Sequence, residues 1–168
     1  MKVGIQFFPD PGMQLAGANL WDAVAAFATA AEQSGLDSFW MWDHLMREPD
    51  GIESQGMLEC FTALGGIAAI TRRLTLGQLV TAVPYRNPAI VAKMATTLDV
   101  MSHGRTVLGL GAGWDRRETA AYGIPFPDVP ERMKRLEEAV RLTLALFSAR
   151  PASFEGRTSR NRRAASVR

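Results

Sequence analysis

Ser38–Leu45, SFWMWDHL, is the stretch on which the fold turns. Its first five residues form an apolar run of strand length. It then ends abruptly on Asp43 and His44, one of only two histidines in the chain. Helical patterns lie on both sides. Upstream, Leu20, Val24, Phe27 and Ala31 recur at helical spacing, with Asn19 placed to cap the start and Gly35 to close the end. Downstream, a second pattern runs through Phe61, Leu64 and Ala68 and stops near Arg72 and Arg73, cations suited to a helix C-terminus.

The same alternation extends outward. VGIQFF (Val3–Phe8), LTLGQLV (Leu74–Val80) and TVLGLG (Thr106–Gly111) are further apolar runs of strand length. A third helix opens at Asn87-Pro88 and carries Val91, Met94, Leu98 and Met101. A last helix starts near Pro130, with Met133, Leu136, Val140, Leu144 and Phe147 on one side. Strand followed by helix, four times over, predicts a parallel sheet with right-handed crossovers. Parallel strands share a carboxyl edge, where ligands of such folds bind. The residues gathered there are Phe8-Pro9, Trp42-Asp43-His44, Val80-Thr81 and Gly111-Ala112-Gly113.

The totals narrow the function classes. With 168 residues and 47% hydrophobic content, the chain can build one ordinary core. No apolar run reaches the length of a membrane span, and the first residues lack the layout of a signal peptide. A single cysteine, Cys60, excludes an internal disulfide framework and fits a cytoplasmic protein. The net charge of +2 hides an asymmetry: five of the 19 basic residues are arginines at or after Arg157, and without them 14 bases face 17 acids. The body therefore offers no basic face for nucleic acid.

Individual residues leave alternatives open. His44 can donate or accept a proton near neutral pH, or simply hydrogen-bond Asp43 or loop backbone. His103, in MSHGR, lies at the opposite end of the strands and reads as a turn residue. GLGAG (Gly109–Gly113) has the wrong spacing for a dinucleotide fingerprint, since position 114 is tryptophan. Its glycines serve either a flat ligand's close approach or a tight turn. Two distant histidines and one cysteine cannot build the usual zinc set. A serine nucleophile elbow and a P-loop signature are both missing. Chemistry carried by a bound cofactor fits this inventory best.

Four stretches carry a family resemblance: AEQSGLDSFWMWDHL (Ala31–Leu45), LTLGQLVTAVPYRNPAIVAKMATTLDVMSHGR (Leu74–Arg105), VLGLGAGWDRRETAAYGIPFP (Val107–Pro127) and ERMKRLEEAVRLTLALF (Glu131–Phe147). Together they resemble the luciferase-like monooxygenase superfamily, in its F420-dependent oxidoreductase branch. The resemblance implies an α/β fold, a TIM (β/α)8 barrel, binding F420 or, in relatives, FMN, and acting on a small-molecule substrate. It implies that Asp43 and His44 lie beside the cofactor ring, with His44 the catalytic candidate. Leu79 and Val80 match a non-proline cis peptide bulge behind the ring, and Thr81 follows it. Gly111, Ala112 and Gly113 match a turn bordering the cofactor. Trp114 stands where the sugar-phosphate dehydrogenase branch carries a catalytic acid, which argues against that reaction and makes it a substrate-pocket residue.

A TIM barrel takes roughly 250 residues and eight βα units, and this chain supplies about four. The expectation is an N-terminal half-barrel over residues 1–156, followed by a disordered basic tail, 157–168, outside the family pattern. A truncated or shifted reading frame would produce such a tail. The half-barrel would leave its first and fourth strands as open edges. Weak or absent cofactor binding by a monomer follows, as does closure by a second copy or by a complementary half-barrel.

Overall fold

A computed structural model of the protein describes residues 1–7, 19–47, 55–148, 152–157 and 159–164. In chain order its elements are β1 (Gly4–Phe7), α1 (Leu20–Gln33), β2 (Ser38–Met41), β3 (Met46–Arg47), β4 (Gln55–Gly56), α2 (Cys60–Ile70) and β5 (Thr75–Gln78). There follow β6 (Thr81–Ala82), a 3-10 turn (Val83–Tyr85), α3 (Pro88–Ser102), β7 (Thr106–Val107) and β8 (Leu110–Gly111). The last elements are α4 (Arg116–Ala121), α5 (Val129–Phe147), β9 (Ala152–Glu155) and β10 (Arg160–Ala164). They form two compact units, Met1–Val80 with Leu98–Gly109, and Thr81–Thr97 with Leu110–Arg168.

The first unit holds the parallel sheet, in the order β1-β2-β5-β7. Its register sorts side chains into two faces, because successive residues of a strand point opposite ways. Ile5, Phe39 and Leu76 are register partners, and they pack with Val24, Leu64 and Ile67 of the two helices in one core. The opposite face carries the row Gln6, Trp40, Gly77 and Val107. There a Cβ on Gly77 would overlap the Trp40 ring, so glycine is what lets the indole lie across the sheet.

Local signals end the helices as the sequence predicts. Asn19 Oδ1 accepts the Trp21 N–H at 2.9 Å, and Asn87 Oδ1 accepts that of Ala89 at 2.9 Å. Behind α1, Leu36 N–H reaches Ala31 O and Gly35 N–H reaches Glu32 O, with Gly35 at φ 80°: a Schellman motif. The same pair of bonds closes α3, from Gly104 to Asp99 and from His103 to Val100. His103 thus occupies the left-handed position, at φ 58°, where glycine is usual. It is a turn residue, as expected.

α2 closes at Ile70, next to Arg72 and Arg73 as expected. Arg72 and Arg73 do not cap its carbonyls; their backbone N–H groups, with that of Leu74, donate to the Glu32 carboxylate of α1. Arg105 does the capping instead. Its Nη2 donates to Ala68 O and Thr71 O, both at 3.1 Å, its Nη1 to Leu74 O at 2.7 Å, and its Nε to Ser102 O at 2.6 Å. One planar guanidinium satisfies carbonyls from two helix ends and a strand start.

In the second unit, β6 and β8 pair in parallel, and α5 packs Leu142 and Leu146 against Ala92. Two predicted strands are broken. Thr106–Gly111 splits into β7 and β8 around Leu108-Gly109, where a Cβ on Gly109 would overlap the Gln78 carbonyl oxygen. Leu74–Val80 ends early, at Gln78, before a cis peptide between Leu79 and Val80. The tail requires a correction: Arg160–Ala164 is not disordered but forms β10, antiparallel to β9, with Gly156 N–H bonded to Ser159 O at 2.8 Å. Backbone pairing needs no apolar period, so composition gave no sign of it. The architecture is the N-terminal half of a TIM barrel: four parallel strands, each followed by at least one helix.

Candidate functional site

β2 delivers Trp42, Asp43 and His44 to the carboxyl end of the sheet. Asp43 is buried, and His44 is half-buried, its ring centroid 5.4 Å from that of Trp42 at an interplanar angle of 60°. β5 delivers Leu79 and Val80 to the same end. Leu79 N–H donates to Met41 O at 2.9 Å, and Leu79 O accepts from Gln6 Nε2 at 3.2 Å. Both polar groups of Leu79's backbone are therefore tied to neighbouring strands. The side chains of Leu79 and Val80 remain 50% and 41% exposed, an apolar surface at the end of β5. The peptide joining them is cis, at the position that the resemblance implies.

Immediately before this pair lies a residue to which sequence reasoning gave no role. Gln78 is fully buried, and neither its Nε2 nor its Oε1 has a hydrogen-bond partner among the described residues. A buried amide left without partners is costly, so its presence needs a reason other than packing. The signal was available, since Gln78 is the lone amide in the run LTLGQLV.

The second unit begins at Thr81, which is fully buried with its Oγ1 unpartnered among the described residues. Thr81 and Ala82 pair with Leu110 and Gly111. Ala112 and Gly113 continue the turn, and Gly113 has a φ of 75°. A Cβ there would sit 3.1 Å from Pro84 Cγ, so the turn lies tightly on the 3-10 segment. Trp114 follows, 70% exposed. Asp115 caps α4, accepting from the N–H groups of Arg117 and Glu118. Glu118 is a buried carboxylate that accepts a hydrogen bond from the Tyr85 hydroxyl, an arrangement sequence reading missed because α4 has no apolar period. Phe8 and Pro9, placed at the same strand edge by sequence, lie outside the described residues.

Among the described residues, no group of three His, Cys, Asp or Glu side chains could hold a metal ion, and no helix is long and apolar enough to cross a membrane. The family model for luciferase-like monooxygenases matches residues 1–168. The chain belongs to that family. Among curated luciferase-like relatives, it is 41% identical over 136 residues to the F420-dependent glucose-6-phosphate dehydrogenase of Kineococcus radiotolerans, covering 79% of this chain and 39% of that protein. It is similar in structure to the monooxygenase RslO1 of Streptomyces bottropensis, with TM-score 0.84 and 25% identity, covering all of this chain and 49% of that one. An F420-dependent secondary alcohol dehydrogenase, solved with an F420-acetone adduct, matches with TM-score 0.78 and 29% identity over 99% of this chain and 48% of that one. The chain thus spans about two fifths of the length of the curated relatives it matches, and about half of the solved ones.

Proposed function

We propose that this chain supplies the cofactor-ring edge of an F420-dependent oxidoreductase, moving a hydride to or from a small organic molecule. The observation that carries this reading is the exposed Leu79-Val80 pair, held beside the end of β2 by the bond from Leu79 to Met41. An apolar ledge whose backbone is already satisfied is suited to the face of a flat ring. F420, when bound, supplies the hydride donor or acceptor. His44 holds or transfers a proton near the reacting carbon, and buried Asp43 fixes the segment that presents it. The resemblance assigns cofactor binding to Thr81, Gly111, Ala112 and Gly113 as well, in and beside the β6–β8 pair of the second unit. Trp114 lines the substrate side, and its lack of an acid argues against carrying over the sugar-phosphate substrate of the 41% identical relative.

A second reading, an FMN-dependent monooxygenase fed by a separate reductase, is favoured by the likeness to a monooxygenase over the whole chain. A third is a non-catalytic half-barrel that pairs with a second copy or with a complementary half, since β1 and β7 are the end strands of the four-stranded sheet. Fluorescence titration of the purified chain with F420 and with FMN separates all three. At least a roughly tenfold preference for F420, about 1.4 kcal/mol, supports the first reading. Preference for FMN, with oxygen consumed when the flavin is supplied reduced, transfers the assignment to the second. Binding of neither leaves the non-catalytic role.

A further inference from the structure

Arg116 and Arg132 are drawn to one aromatic ring. The guanidinium carbon of Arg132 lies 4.1 Å from the centroid of Phe126, and that of Arg116 lies 5.2 Å from it. The two cations are therefore no farther apart than those two distances combined. Neither makes an ion pair with a described residue, although carboxylates are plentiful in the same stretch. Arg117 is paired with Asp115, Arg135 with Glu131, and Arg141 with Glu137. Among the described residues, an acid partners each of these three arginines and neither of the two that share Phe126.

The pair is also built rather than loose. Arg132 Nη1 donates to the Pro127 carbonyl at 2.8 Å, which fixes the plane of its fork, while its Nε is buried without a partner among the described residues. Arg116 is exposed and opens α4, whose first turn Asp115 has already capped. Phe126 in turn borders the candidate cofactor turn, with its Cε2 3.7 Å from where a Cβ on Gly113 would stand. Attraction to the ring face holds each guanidinium in place, but it leaves two like charges near each other with donors to spare. A bound anion with several oxygens would neutralise that repulsion and accept from both forks.

We propose that Arg116 and Arg132, set against Phe126, form a binding site for an oxyanion, a phosphate or carboxylate group of a small ligand. The site depends on no part of the F420 reading, and its test involves no cofactor. The full chain is titrated calorimetrically with inorganic phosphate at constant ionic strength, with chloride as the balancing anion. Saturable binding is expected, weakened at least about tenfold in Arg116→Ala, as befits the loss of a charge-assisted contact. Arg116 is exposed, so this variant keeps the fold, which far-UV circular dichroism checks. Arg132→Gln should lose binding as well. A parallel titration with acetate distinguishes the sources: binding of phosphate alone assigns a phosphate group, and acetate binding equally well assigns a carboxylate. Absence of saturation in the wild type, or equal affinity in Arg116→Ala, overturns the proposal.

Discussion

Leu79 donates its backbone N–H to the carbonyl of Met41 across 2.9 Å, beyond the last register pair of β2 and β5. That bond continues the ladder one step past the strand, where the side chains change from buried Gln78 to exposed Leu79. It fixes the ledge of Leu79 and Val80 relative to the Trp42-Asp43-His44 segment without drawing on either side chain. The second tie, from Gln6 to the Leu79 carbonyl, makes a direct target.

Gln6→Leu removes that donor while keeping a similar volume. The loss is about 1 kcal/mol for one partly exposed hydrogen bond, read as a lower urea midpoint. If F420 binds on this ledge, its affinity falls in the same variant, because the Leu79 carbonyl is released. An unchanged midpoint would mean that the Gln6 bond contributes nothing to holding the ledge.

His44→Ala separates chemistry from stability. His44 is half-buried at the end of a strand, and its ring contact with Trp42 is a minor packing term. Turnover should drop on the order of 100-fold, the scale of a lost general acid or base. The thermal midpoint should move by only a few degrees, about 1 kcal/mol. A rate that survives the substitution removes His44 from the reaction.

His103→Gly should stabilise the protein. The left-handed backbone at His103 costs an L-residue roughly 1 kcal/mol, and glycine adopts it freely, though it gains entropy in the unfolded chain. The net gain is about 0.5 kcal/mol, read from the urea midpoint. Gly35, in the equivalent position behind α1, gives the opposite control: Gly35→Ala should destabilise.

Glu32 ties stability to pH. Burial pushes its carboxyl up, but the backbone N–H groups of Arg73, Arg72 and Leu74, together with the Arg73 charge, outweigh this and hold it below its ordinary value near 4.5. A depressed carboxyl contributes stability that is fully present above the unfolded value and is lost as pH falls through the folded one. Glu32→Gln should therefore lower stability at pH 7 by about 1 kcal/mol, a figure discounted for partial exposure. The gap between wild type and variant should close below pH 4.5. A gap that persists in acid would show that the carboxylate charge is not what matters.

Much of the fold was legible because its signals are local. Asn19, Asn87 and Gly35 act within one turn of their own helices, and the apolar runs of β1, β2 and β5 repeat over four residues. Signals without a period were lost. The run RRETAA of α4 has no apolar stripe, and β10 pairs through backbone alone. The β3–β4 hairpin is only two residues deep and carries no pattern at all. At the site, strand ends could be placed in order, which located Asp43, His44 and the Leu79-Val80 pair. Burial could not be read the same way, so fully enclosed Gln78 and Glu118 went unremarked.

By itself the sequence determined the alternation of strand and helix, the caps, and the carboxyl edge on which candidate residues gather. Only the tertiary structure decided which arginine caps which helix. Glu32 holds the N–H groups of Arg72 and Arg73 from 40 and 41 residues away, and Arg105 reaches back 37 residues to Ala68. The same is true of the ledge, whose carbonyl is held by Gln6, 73 residues earlier. Backbone propensity acts between neighbours and leaves a trace in their spacing. A hydrogen bond across the fold requires only that two groups arrive together with the right geometry, and no spacing in the chain records that.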